Sequence, residues 1–158
     1  MVVSSIKKYI RLALVLLSVI LIGSCSTEDA QAQLDADVAI IEKYLADNNL
    51  TAEEYDLGLY IVMDYEGNGN MTNSTSDVLI KYRGYLPNEI VFDESWNNPA
   101  NFNLSGTIEG WRKGIPQFKE GGRGTILMAS YLGYGKNANG QIPAHSVLIF
   151  DVDLIAVY

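Results

Sequence analysis

This chain has few of the side chains that carry covalent and metal chemistry. Its 158 residues include one cysteine, Cys25, and one histidine, His145. One histidine cannot build a multi-histidine metal site, and one cysteine cannot form an internal disulfide. His145 therefore reads as structural, no metal or cofactor is expected, and the fold must rest on its apolar core. Basic residues are also scarce, 11 against 19 acidic, for a net charge of −8. Such a surface argues against nucleic-acid binding and against electrostatic attachment to anionic lipid. The apolar run from Leu12 to Ile22 is too short to span a bilayer. No internal repeat is visible.

The first 24 residues read as a leader rather than as part of a fold. Lys7, Lys8 and Arg11 form a positive start, the apolar run follows, and then comes Ile22-Gly23-Ser24-Cys25. This resembles a bacterial lipobox, in which the cysteine becomes the first mature residue and carries acyl chains. Two or three such chains suffice for stable anchoring where one would not. Removing the leader leaves eight basic residues against 19 acidic ones, a mature charge of −11. Ser26 is not the aspartate associated with inner-membrane retention, so the expected location is the cell envelope, lipid-anchored at the outer membrane. Glu28-Asp29 fits a solvated linker as well as an acidic surface-export signal of Bacteroidetes lipoproteins.

Beyond the leader, residues 25–33 read as a small, polar tether and 34–56 as an N-terminal helical extension. Leu34, Val38, Ile41 and Leu45 fall on one helical face, and Asp35 and Asp37 suit the helix start. That face needs a partner, either its own domain or a second copy; the segment is short, which favours a monomer. Residues 57–158 read as one domain. Strands are expected at Gly58–Met63, Val78–Leu86, Ile90–Asp93, Gly124–Ser130 and Ser146–Val157, with one short helix within Ile108–Phe118. The nearly all-apolar Val147-Leu148-Ile149-Phe150 should be a central strand. Many strands and one helix define an α+β domain.

Chemistry-bearing residues recur in a set order through that domain. Val78 to Tyr85 leads to Val91-Phe92-Asp93-Glu94, then to Ile108-Glu109-Gly110-Trp111, Tyr134-Gly135, Ile142-Pro143-Ala144-His145 and Leu148 to Val152. The set describes an apolar cup with polar groups at its wall. From about Leu57 to Tyr158 it resembles the FKBP-type peptidyl-prolyl isomerases, in a bacterial lipoprotein, Bacteroidetes-like form. The resemblance implies an antiparallel twisted sheet wrapped on one short helix. It also implies rotation about the bond preceding proline, without nucleophile or cofactor.

On that resemblance Tyr82, Asp93 and Tyr134 are the polar catalytic groups. Trp111 is the floor under the prolyl ring, and Phe92 and Phe150 are walls. Ile108 offers its N–H to a substrate carbonyl, Thr107 stands where a valine usually precedes it, and Ile142 overhangs the pocket. Each aromatic taken singly also fits plain core, and Asp93 alone fits a turn cap; the joint order carries the reading. The chain departs from the family at Ala100, where many members have a rim phenylalanine. It also lacks an arginine between Asp93 and Phe102. The first change should weaken the grip on a macrolide ligand, unless Trp96 replaces the lost surface. The expected partners are proline-containing unfolded or exported polypeptides. Two other classes stay open: a proline-peptide-binding or chaperone module of low activity, and a surface scaffold. The pair Asp151/Asp153, on a face expected to meet solvent, gives only a weak hydrolase reading.

Overall fold

The structure is a computed structural model that describes residues 27–158. The segment read as a leader, and Cys25 read as a lipobox cysteine, lie outside the described residues. The chain divides into two units, 1–35 and 36–158. In the first, all described residues from 27 to 35 are helical. This corrects the tether reading of 25–33 over residues 27–33: Glu28, Ala30, Gln31, Ala32 and Gln33 are good helix formers, and no glycine or proline interrupts them.

The second unit opens with a helix over 36–47, α1. Seven strands and a second helix follow: β1 (Glu53–Asp56), β2 (Leu59–Tyr65), β3 (Asp77–Tyr85), β4 (Val91–Glu94), β5 (Ala100–Asn103), α2 (Glu109–Gly114), β6 (Arg123–Met128) and β7 (Leu148–Val157). Single 3-10 turns lie at Leu104–Gly106, Ile115–Gln117 and Ser130–Leu132. All strand pairings are antiparallel, in the order β1-β2-β6-β7-β3-β4, with β5 also on β3. The antiparallel α+β sheet with one short helix is therefore as the sequence suggests, and β7 is central. The sequence assigned Glu53–Asp56 to the helical extension, but this segment pairs with β2. All four of its side chains are exposed, so no alternation of apolar and polar residues marks it.

Period-two alternation places the side chains. In β3, Val78, Ile80, Tyr82 and Gly84 are buried on one face, and Lys81 and Arg83 lie on the other. In β7, Leu148, Phe150, Val152 and Leu154 join the main core under α2, with Ile61, Ile126, Met128 and Trp111. The opposite face carries a second cluster of Val62, Leu127, Val147 and Ile149, closed by Ile41 of α1. Ile41 and Leu45 of the α1 stripe thus dock on their own domain. Ile41 is fully buried there, which contributes roughly 1.5–3 kcal/mol. Asp37 does not stand at the helix start, because the described residues are helical from 27 onward. It lies within that stripe, 1% exposed, and its Oδ2 accepts from the Ser130 N–H and hydroxyl at 2.8 and 2.6 Å.

On the α1 face, Asp151 is half-buried rather than solvated and accepts from the hydroxyls of Thr125 (2.9 Å) and Tyr85 (3.1 Å). Trp96 does not restore the pocket rim. It is 47% exposed and lines a separate recess with Arg83, Glu94, Asn97 and Asp151. The chain reaches that recess because Ser95 is tied back to β3: its N–H donates to the Tyr82 carbonyl and its hydroxyl to the Ile80 carbonyl.

Candidate functional site

β3, β4, α2, β7 and the loop after β6 enclose one cavity of about 570 Å³. Its wall includes Tyr82, Asp93, Tyr134, Phe92, Thr107, Ile108, Trp111, Ile142 and Phe150, the full set singled out from the sequence. Phe102, Gly106, Asn139, Gly140 and Gln141 complete it.

Trp111 is the hub. Three rings meet it edge-on: Tyr82 at 5.1 Å, Phe102 at 5.2 Å and Phe150 at 5.4 Å between centroids. Phe92 continues the wall with a T-shaped contact to Phe150 at 5.5 Å. Such edge-to-face pairs contribute about 0.5–1.5 kcal/mol each beyond their buried area, so the cup is preformed. Trp111 is 4% exposed, and its Nε1 is the one buried side-chain nitrogen or oxygen without a hydrogen-bond partner among the described residues.

Phe92 and Asp93 are consecutive on a strand, and consecutive strand residues normally point to opposite faces. Both line the cavity because β4 is bulged. Gly84 pairs with Asp93 and Tyr85 with Val91, which leaves Phe92 as the extra residue. Gly84 makes room for the result. A Cβ there would lie 2.6 Å from the Phe92 ring and 2.7 Å from the Phe150 ring.

The Tyr82 hydroxyl donates to Asp93 Oδ2 at 2.6 Å. Burial, then the hydrogen bond to Asp93 and its charge, raise the Tyr82 hydroxyl far above the ordinary tyrosine range, so Tyr82 stays a proton donor. No lysine or arginine pairs with Asp93 among the described residues. Tyr82 takes the place of the missing arginine as the group that orients the carboxylate.

Ile108 caps α2, and its carbonyl accepts from the N–H groups of Trp111 and Arg112. Its own N–H precedes the helix, where no helical carbonyl can take it. Thr107 contributes less than its hydroxyl suggests. That hydroxyl donates to the Leu104 carbonyl at 2.7 Å, and Arg112 donates to the Thr107 carbonyl at 2.6 Å. Both bonds hold the Thr107–Ile108 peptide in place.

The overhang is a tight hairpin. Asn139 and Ile142 exchange two backbone hydrogen bonds of 2.9 Å around Gly140, whose φ is +57°. This buries Ile142 to 4% exposure. Gly140 at the first central position of a two-residue loop is a hairpin signal present in the sequence, although the elements expected there did not include it. Phe102 gave no such local signal; it reaches the cup because β5 pairs with β3, with Phe102 opposite Val78. His145, with φ +57°, closes the base of this loop by donating its N–H to the Gly135 carbonyl at 2.7 Å. Among the described residues no cluster of acidic, histidine or cysteine side chains could hold a metal ion.

Residues 69–155 match the model of the FKBP-type peptidyl-prolyl cis-trans isomerases, and the chain belongs to that family. A probable FKBP-type peptidyl-prolyl cis-trans isomerase of Haemophilus influenzae is 40% identical over 103 residues, covering 63% of this chain and 43% of the relative. An FK506-binding protein of Neisseria meningitidis is 36% identical over 108 residues, covering 65% of this chain and 99% of the relative. Among solved structures, FkpA of Escherichia coli superposes with a TM-score of 0.69 at 29% identity, over 81% of this chain and 64% of that one. The chain thus spans about half the length or less of several curated relatives it matches.

Proposed function

We propose that this protein is a peptidyl-prolyl cis-trans isomerase that assists the folding of exported polypeptides. One observation carries the reading: the short Tyr82–Asp93 hydrogen bond stands in the wall of a preformed aromatic cup floored by Trp111. The barrier to rotation about an amide is about 18–20 kcal/mol because resonance holds it planar. The planar amide is strongly polar, and the twisted transition state has lost that polarity. An apolar cup therefore raises the energy of the planar form more than that of the twisted one. Each ~1.4 kcal/mol of this difference is worth about tenfold in rate. Trp111, Phe92 and Phe150 supply the apolar walls. The Ile108 N–H and the Tyr134 hydroxyl hold the carbonyls on either side of the proline, and Asp93 lies beside the one that twists. The family relationship supports this assignment.

The lipobox-like Ile22-Gly23-Ser24-Cys25 and the acidic mature chain support a lipoprotein of the outer membrane, reaching its clients as a monomer. Docking of α1 on its own sheet supports the monomer, since it covers the stripe that a second copy would need. The cup also fits a macrolide, weakened by Ala100 at the rim.

The test is cis-to-trans isomerisation of a short Xaa-Pro peptide by wild type, Asp93→Ala and Phe92→Ala. Acceleration that falls tenfold or more in both variants supports the reading. Peptide binding with no acceleration by a folded wild type overturns it in favour of a proline-peptide-binding module, which needs the cup but not Asp93.

A further inference from the structure

We infer that Asp37, on α1, is a positioning residue for Tyr134 and so couples the N-terminal helix to the isomerase site. For Tyr134 the inference rests on the isomerase reading above; the coupling itself does not.

The path is short and buried. Asp37 Oδ2 accepts from both the N–H and the hydroxyl of Ser130, which is 2% exposed. Ser130 opens the 3-10 turn after β6. Its carbonyl accepts from Gly133 N–H at 3.0 Å and Gly135 N–H at 2.8 Å, the residues on either side of Tyr134. The Gly135 carbonyl in turn accepts from His145 N–H at 2.7 Å, which closes the loop carrying Ile142. One carboxylate thus fixes the residue from which the Tyr134 backbone is suspended.

A carboxylate is a costly way merely to dock a helix. Its burial carries a desolvation penalty of several kcal/mol, whereas an apolar side chain in the same stripe would dock α1 without one. What the carboxylate adds is direction, because two donors of one residue converge on one oxygen. The Tyr134 hydroxyl must meet a carbonyl within hydrogen-bond reach, and displacements of about 1 Å at such a group can cost up to 10²-fold in rate.

The experiment compares the full chain with Asp37→Ala, Asp37→Asn and Ile41→Val, each with Tyr134 intact and in a Tyr134→Phe background. kcat/KM on an Xaa-Pro peptide and hydrogen exchange at the Gly135 amide are measured. Asp37→Ala should lower kcat/KM about fivefold or more with Tyr134 present and less than twofold in Tyr134→Phe. The asparagine can still accept from the Ser130 N–H and should restore most of the activity. Gly135 exchange should quicken about tenfold in Asp37→Ala. Ile41→Val, which loosens α1 packing without touching Ser130, should keep wild-type kcat/KM. Equal losses in both Tyr134 backgrounds, or a folded Asp37→Ala with wild-type activity and exchange, overturn the inference. Should Asp37→Ala fail to fold, Ser130→Ala, which removes only the hydroxyl bond, takes its place in the same cycle and is judged in the same direction. A wild type that binds peptide without accelerating isomerisation defeats the isomerase reading. Gly135 exchange then decides alone: faster in Asp37→Ala supports the coupling, and unchanged overturns it.

Discussion

Gly84→Ala tests the geometry of the cup more sharply than deletion of any wall residue. The new methyl would stand 2.6 Å from Phe92 Cε2, 2.7 Å from Phe150 Cε1 and 2.8 Å from Phe92 Cζ. Carbon–carbon contacts relax at about 3.5–4.0 Å, so one or both rings must retreat by about 1 Å. Phe150 is 4% exposed, lies on the central strand and is held against Trp111. Phe92 is half-buried at the cavity wall and is the ring that yields. Overpacking of this kind costs about 1–3 kcal/mol. Replacing a strand glycine by alanine returns about 0.5–1 kcal/mol through the unfolded chain. At mid-range the overpacking exceeds that return, for a net loss of roughly 1 kcal/mol in urea unfolding. Because Phe92 moves at the cavity wall, kcat/KM on an Xaa-Pro peptide should fall by about tenfold. Gly106→Ala is the matched control. It borders the same cavity, yet its Cβ meets nothing within 4 Å. Its stability should be unchanged or up by less than about 1 kcal/mol. A Gly84→Ala protein as stable and as active as wild type would refute the packing argument.

Two further outcomes follow from the same structure and a third from the sequence. Burial and Asp93 raise the Tyr82 hydroxyl above its ordinary value of 10.0, so the folded state keeps a proton that the unfolded chain loses first. This contribution is whole below that pH and declines as pH climbs past it. The urea midpoint of wild type should fall more steeply between about pH 9 and 11 than that of Tyr82→Phe, and parallel curves would count against the argument. Ile41→Ala should cost about 2–5 kcal/mol by opening a cavity between α1 and the sheet, while the folded fraction keeps its isomerase activity; a loss below 0.5 kcal/mol would mean that α1 is not docked in solution. Cys25→Ser should shift the protein from the membrane to the soluble envelope fraction and abolish incorporation of labelled palmitate, whereas an unchanged membrane fraction would remove the lipid-anchor proposal.

The sequence by itself determined the family, the antiparallel α+β class and the central place of Val147–Phe150. These depend on local signals: apolar runs, turn residues and the order of aromatic and polar groups along the chain. It also named nine residues that share one cavity. Only the tertiary structure decided how they come to share it. Phe92 and Asp93 face the same way because of a bulge set by pairing with Gly84 and Tyr85, and alternation alone would have separated them. Thr107 keeps its place in the wall, but its hydroxyl is spent on the turn below it. Trp96 could replace a missing rim residue by its position in the chain, yet the ties of Ser95 to β3 carry it to a different recess. Glu53–Asp56 becomes a strand through its partner β2, with no burial pattern of its own. Asp37 suited a helix start by its place in the chain, and only the fold brought its partner Ser130, 93 residues away, beside it. Periodicity reports which face of an element is apolar. It says nothing of which distant donor will meet a polar group on that face, because that contact exists only once the sheet has formed between them.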